Sequence, residues 1–314
     1  MQRDLVSSEM HGSLRVRVPA KINLSLAVGP PRPDGFHNLA TVFQALSLYD
    51  TVTLRDRGDG AGVRLTISGS QANQVPVDEK NLAWQAAELA AEQTTSKPDL
   101  DIDIEKGIPV AGGMAGGSAD AAAVLLGCSA LWDIDEDLAP LAAQLGSDVP
   151  FALVGGTAVG QGRGEQVASA MTRGKFHWVL ALSDGELATP KVYAEIDRLR
   201  GDQPVLEPVI AEDVVRAVRT GDATALGAAL TNDLQPAALS LMPALAALLE
   251  LGPEHGALGS IISGSGPTCA FLVSDEEAAL ELTVALSASG LCRTVRQASA
   301  PVPGATVVSR DTPI

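Results

Sequence analysis

The sequence predicts an α+β protein built from two domains. A strictly alternating segment, LDIDIE at 100–105, follows an amphipathic helical stretch at 81–93, which pairs a half-buried strand with a helix. Beyond residue 176 the pattern restarts as strand, helices, strand, turn, strand, helix and strand, the signature of a small antiparallel sheet backed by helices. A length of 314 residues, at roughly 100 to 200 residues per domain, accommodates both units. The boundary is placed near residue 170, giving domains of 1–170 and 171–314.

Taken in order, segments 14–19 (LRVRVP) and 50–55 carry the β-branched clusters of strands. The helix at 81–93 puts Leu82, Ala86, Leu89 and Ala90 on one face, with Asp78 as a cap shortly before it. Strand 100–105 leads into a glycine-rich loop and a helix from Ser118 to Trp132. In the second half, strand 177–182 precedes Ala- and Leu-rich helical stretches from about 190 to 249. Strand 257–263, a Gly turn, strand 268–273, helix 275–287 and strand 291–296 complete the pattern, and the Pro-rich tail from Ala300 reads as a surface strand or loop.

Composition narrows the function. Hydrophobic residues make up 46% and charged residues 19%, so the chain folds rather than remaining disordered. With 22 Lys plus Arg against 38 Asp plus Glu the formal charge is −16, which argues against nucleic-acid and polybasic membrane partners and requires any anionic ligand to be held by a local cluster. Cys128, Cys269 and Cys292 are too far apart for a CxxC site, and together with the absence of a leader pattern they place the protein in the cytoplasm. The longest apolar-rich runs, 121–132 and 237–249, fall short of the roughly 18 residues of a membrane span.

The most informative stretch is KGIPVAGGMAGGSADAAAVLL at 106–126. Gly112, Gly113, Gly116 and Gly117 fill a loop between a strand and a helix. Glycines permit positive φ and close backbone approach, and the unpaired N–H groups of the first helical turn face an anion. Phosphate is the natural occupant, and a tight strand-to-helix turn is the structural alternative. The loop matches neither GxxxxGK[ST] nor GxGxxG, since no Lys follows Gly117 and position 114 is Met.

Four further segments accompany this loop: PAKINLSL at 19–26, DGFHNL at 34–39, LGSDVPF at 145–151 and SGSGPTCAFL at 263–272. In that order and spacing the chain resembles the GHMP kinases over residues 14–300. The pairing of PAKINL with DGFHNL is similar to a bacterial branch that acts in isoprenoid biosynthesis. The resemblance implies an N-terminal ribosomal protein S5 domain 2-like nucleotide domain and a C-terminal ferredoxin-like α+β domain. It also implies an ATP-dependent kinase that phosphorylates the 2-hydroxyl of a small cytidine diphosphate-linked acceptor. ATP and Mg²⁺ are the implied cofactors, no protein metal ligand is assigned, and the chain is expected as a monomer or weak homodimer.

The resemblance carries roles onto particular residues. Lys21 and Asp148 are implied as the catalytic pair, with Asp148 taking the acceptor proton and Lys21 orienting the carboxylate and stabilising the transferring phosphoryl. Lys21 and Asn23 lie two apart, so on a strand they share a face. Asn81, Leu82, Lys106 and Pro109 join the loop glycines and Ser118 as the implied ATP site; as bare residues Asn81 and Leu82 are a helix start, Lys106 a turn lysine and Ser118 a helix cap. On the acceptor side, Asn23, Phe36, His37, Thr189, Tyr193, Gly264 and Ser265 are implied to join Asp148. Phe36 and Tyr193 would sandwich the cytosine while His37 reads its edge. The family usually has Tyr at position 36, and often Gly where this chain has Ala111 and Ala115. GQGRGEQV at 160–167 reads as a connecting turn, and TNDL at 231–234 as a segment crossing near the site without chemistry.

Other chemistries fail on spacing. His11, His37, His177 and His255 are scattered, and neither HExxH nor GxSxG occurs. Another GHMP kinase such as homoserine kinase, or a non-catalytic nucleotide-binding regulator, remain the alternatives.

Overall fold

The computed structural model describes residues 12–57, 61–69, 71–94, 98–110 and 112–311. His11 and Ala111 lie outside the described residues. The elements run β1 (Ser13–Pro31), β2 (His37–Asp56), β3 (Gly62–Gly69), α1 (Leu82–Ala91), β4 (Asp99–Lys106), α2 (Gly116–Trp132), α3 (Leu138–Leu145), α4 (Val149–Val154), β5 (Thr157–Gln161) and β6 (Gln166–Ser169). There follow β7 (Phe176–Leu182), α5 (Thr189–Arg200), α6 (Glu212–Thr220), α7 (Ala223–Ala229), β8 (Thr231–Asn232), α8 (Gln235–Leu241), α9 (Ala244–Glu254), β9 (Gly259–Ile262), β10 (Cys269–Val273), α10 (Glu276–Ser289), β11 (Thr294–Ala300) and β12 (Thr306–Asp311).

Two sheets organise the molecule. The first runs β12-β1-β2-β4-β3, with β5 and β6 added beside β2 and β8 beside β1. The second has the order β11-β7-β10-β9, all antiparallel. In chain order β7, β9, β10 and β11 occupy its positions two, four, three and one, with helices inserted before β9 and before β11, which is the ferredoxin-like arrangement.

β1 and β2 are far longer than the strand segments read from sequence, because their apolar clusters continue through PAKINLSLAV and LATVFQALSL. Register shifts at Pro19/Ala20 and Asn23/Ser25 bend the pair. The bend comes where Lys21 and Asn23 stand. Apolar on every side, α2 crosses this sheet and has Ala121, Ala122, Val124 and Leu125 fully buried. Gly127 lets it approach closely, since a Cβ there would collide with Leu54 and meet Leu14 Cδ2 at 3.3 Å. A rigidly seated helix fixes where its N-terminus points.

Several expectations shift. Asp78 does not cap α1; it forms a turn by accepting from Lys80 N, and Asn81 caps the helix by accepting from Ala83 N at 2.9 Å. Nor does Ser118 cap α2. The helix begins two residues earlier behind Ala115, whose φ of 57° and ψ of 35° are left-handed, and Ser118 sits inside the first turn. Residues 160–167 form a hairpin, with β5 and β6 flanking the turn. The helical stretch 190–249 is broken by β8 within TNDL. The last strand of the second sheet starts at Thr294 rather than 291, and the tail beyond Ala300 returns to the first sheet, where β12 pairs with β1. No helix among the described residues is long and apolar enough to cross a membrane.

Candidate active site

The glycine loop, the β1–β2 bend, the residues leading into α4, α5 and the 263–267 turn all face one cavity of about 780 Å³. Of the residues singled out in sequence, Lys21, Asn23, Phe36, His37, Lys106, Pro109, Gly112, Gly113, Gly116, Gly117, Asp148, Thr189, Tyr193, Gly264 and Ser265 line it, whereas Asn81, Leu82 and Ser118 do not.

At its centre Lys21 Nζ lies 3.6 Å from Asp148 Oδ2 and donates to Asn23 Oδ1 at 2.8 Å. Asn23 in turn donates to Thr41 Oγ1, which donates to the Ser25 carbonyl. This chain of bonds fixes the buried ammonium, while Asp148 stays about one-third exposed to the cavity. Asp148 is the residue before α4 and makes no capping bond with its side chain, leaving the carboxylate available.

The glycine-loop side is built on buried charge. Lys106 Nζ pairs with Asp50 Oδ2 and with Asp120 Oδ2 at 2.7 Å, and all three side chains are at most 3% exposed. Asp50 Oδ1 accepts from Gly107 N at 2.7 Å and Ile108 N at 2.8 Å, tying the loop's entry to the core. Burial drives the Asp120 carboxyl up, with Lys106 opposing and Asp50 adding, so this acid holds its proton well above the usual carboxylate range. Burial works to lower Lys106, but Asp120 and Asp50 outweigh it and keep the ammonium charged. The Lys106 side chain is therefore a strut under the loop, paired with two buried carboxyl groups, and it also lines the cavity. Asn81 likewise acts through another segment: its Nδ2 donates to Pro76 O at 2.7 Å, holding residues 74–76 in the cavity wall.

Across the cavity, Ser263 Oγ donates to Gly113 O at 3.1 Å, joining the two glycine turns. Gly113 has φ +70°, and a Cβ there would strike Ser263 O and stand 3.0 Å from Gly266 O, so only glycine fits. Asn232, from the segment read as having no chemistry, donates to Ile262 O and Gly264 O at 2.8 Å each and so shapes the turn that faces Lys21. Thr189 Oγ1 and Ser265 Oγ share a hydrogen bond of 3.0 Å.

The far end is aromatic. His37 Nε2 meets Asp197 Oδ1 at 3.0 Å, and its ring lies 5.0 Å from that of Tyr193 at 39°. Tyr193 thus touches His37, and the half-exposed ring of Phe36, on the same cavity wall, is covered by the Arg163 guanidinium at 5.1 Å. Burial, and next the Asp148 charge, push the Tyr193 phenol well above its ordinary value, so it acts as a donor and not as an acid. Sequence reasoning passed over Arg163, Asp197 and Asn232, because each matters only through a partner distant in the chain.

Family models for the GHMP kinases N terminal domain and the GHMP kinases C terminal match residues 81–156 and 214–290. A 4-diphosphocytidyl-2-C-methyl-D-erythritol kinase of Mycobacterium avium (strain 104) is 55% identical over 311 residues, covering 96% of each chain. The chain belongs to this family of GHMP kinases. The kinase of the same name from Rhodococcus jostii (strain RHA1) is 54% identical and covers 94% of both chains. Among solved structures, a 4-(cytidine 5'-diphospho)-2C-methyl-D-erythritol kinase matches with TM-score 0.75 and 30% identity, over 91% of this GHMP kinase and 99% of that chain. A homoserine kinase from Cytophaga hutchinsonii matches with TM-score 0.74 at 20% identity, over 98% and 100%, and shares the fold.

Proposed function

We propose that the protein transfers the γ-phosphoryl group of ATP to the 2-hydroxyl of 4-diphosphocytidyl-2-C-methyl-D-erythritol, giving the 2-phosphate and ADP in non-mevalonate isoprenoid biosynthesis. The observation that carries this reading is the Lys21–Asp148 pair at 3.6 Å, set in one cavity between a glycine loop and the His37–Tyr193 cluster. The distribution of groups supports phosphates at the loop, the cytosine near Phe36, His37 and Tyr193, and the acceptor hydroxyl at Asp148.

In the step itself the acceptor O–H proton passes to Asp148, the acceptor oxygen bonds to phosphorus, and the bond to the β-phosphate oxygen breaks to release ADP. Lys21, held by Asn23, orients the Asp148 carboxylate and offers its ammonium to charge growing on the transferred oxygens. A tertiary alcohol is a hindered nucleophile, so holding it in line supplies much of the rate. Asp197 fixes His37 on one face of the base site, while the phenol of Tyr193 remains a donor beside Asp148.

Among the described residues no group of three metal-ligating side chains occurs. Mg²⁺ fits this wall as an ion held chiefly by ATP oxygens and water. Asp120, which lines the cavity and has a partnerless buried Oδ1, is the side chain at the foot of the loop that would hold it, on giving up its proton. When bound, it supplies charge neutralisation on the phosphates.

The test is ADP release with ATP and Mg²⁺, offering 4-diphosphocytidyl-2-C-methyl-D-erythritol, homoserine and no acceptor in parallel. Turnover with the first alone is expected. Turnover with homoserine, or silence with all three despite ATP binding, would overturn the proposal.

A further inference from the structure

The glycine loop has a second cavity against it, of about 210 Å³, to which the proposed reaction assigns no group. It shares Gln74, Val110 and Gly112 with the main cavity and is closed from the other side by the second sheet and its loops, through Ser183, Thr268 and Arg293. Two features of its wall are unexplained by folding alone. Thr268 is 1% exposed and Ser183 9%, yet neither Thr268 Oγ1 nor Ser183 Oγ has a hydrogen-bond partner. Buried hydroxyls are almost always satisfied, so two in one small cavity call for an occupant that accepts from both. At the rim stands Arg293, exposed, with no ion pair or side-chain hydrogen bond to the other described residues. In a chain of formal charge −16, a guanidinium with no ion-pair partner among the described residues, beside two free hydroxyl donors, is the donor set of an oxyanion site.

We propose that this cavity binds a small phosphate-bearing anion, held by Arg293, Ser183 and Thr268, behind the glycine loop. Its place also makes it regulatory. Thr268 Oγ1 stands 3.0 Å from where a Cβ on Gly112 would be, so the loop backbone rests directly on the residue that would bind the anion. An occupant that draws on Thr268 sets the position of Gly112, and through it the loop. Glu186 also lines the rim and opposes the anion's charge.

The experiment is an isothermal titration with the main cavity saturated by a non-hydrolysable ATP analogue, using inorganic phosphate, glycerol phosphate and inorganic diphosphate as separate probes. Saturable binding of at least one probe is expected. Affinity should fall tenfold or more in Arg293→Met and in Thr268→Val, and rise in Glu186→Gln. The Arg293→Met enzyme should keep its turnover without added anion and lose the anion's effect on KM for ATP. A preference for free phosphate over its esters would identify an inorganic ligand, and the reverse a metabolite. No saturable binding, or unchanged affinity in both Arg293→Met and Thr268→Val, overturns the proposal. Should the ATP analogue itself fail to bind, the function proposed above fails, while the comparison of wild type with Arg293→Met still reads this cavity.

Discussion

The two ends of the main cavity are made in different ways. At the glycine-loop end, the proposed phosphate end, the cavity-facing surface is backbone, held from beneath by the buried Lys106, Asp50 and Asp120 and from across by Ser263 on Gly113. At the aromatic end, the proposed base end, the surface is side chain: Phe36 is half exposed, and His37 is held by Asp197, 160 positions along the chain. Backbone cradles fit any phosphate and need rigidity, whereas recognition of one heterocycle needs particular edges and rings. Damage at the first end should therefore appear in stability, and damage at the second in binding of one substrate.

Lys106→Met tests the contrast most severely. Removing the ammonium leaves two carboxyl groups buried without their partner, and breaking such a site costs about 3–5 kcal/mol. Denaturant unfolding should show the loss, and a cost within ~0.5 kcal/mol would mean that the strut does not hold the loop. Asp148→Asn lies between the two ends and should lower turnover by about 10² or more while ATP and acceptor still bind. Unchanged turnover would remove Asp148 from the proton transfer.

A pH series sharpens the phosphate end. Because Asp120 is raised from its ordinary 3.8, the folded state keeps a proton that the unfolded chain releases. This stabilisation is complete below pH 3.8 and is lost as pH rises toward the raised value, at up to about 1.4 kcal/mol per pH unit for one proton. Asp120→Asn should flatten that slope, and the same slope in the variant would assign it to another group. The smallest expected effect is at the base end: His37→Ala should raise KM for the cytidine substrate by about tenfold, equivalent to ~1.4 kcal/mol, with KM for ATP and the unfolding midpoint little changed. Equal loss for both substrates would erase the distinction between the ends.

Much of the phosphate end was legible in sequence, because a loop between strand and helix is local: its glycines, the helix behind it and the strand before it are consecutive. Lys21 and Asn23 were legible as strand neighbours on one face, and the 2.8 Å bond between them follows from that register. The start of α2 was misread because Ala115 adopts the left-handed conformation that propensity assigns to glycine or asparagine, and the close packing of α2 on β1 and β2 overrides that preference. Asp78 and Asn81 both look like caps, and the turn at 78–81 decides between them.

What the sequence determined by itself was periodicity and local chemistry: two α+β units, a glycine-rich loop between strand and helix, and a family's segments in order. Only the tertiary structure decided that Lys106 faces inward to two carboxylates, that Arg163 covers Phe36 while Tyr193 meets His37, that Asn232 moulds the turn opposite Lys21, and that β12 returns to the first sheet. The physical reason is separation along the chain. Neighbouring residues constrain one another through backbone geometry, but a buried charge or an aromatic edge is satisfied by whichever distant group the packed sheets bring to it.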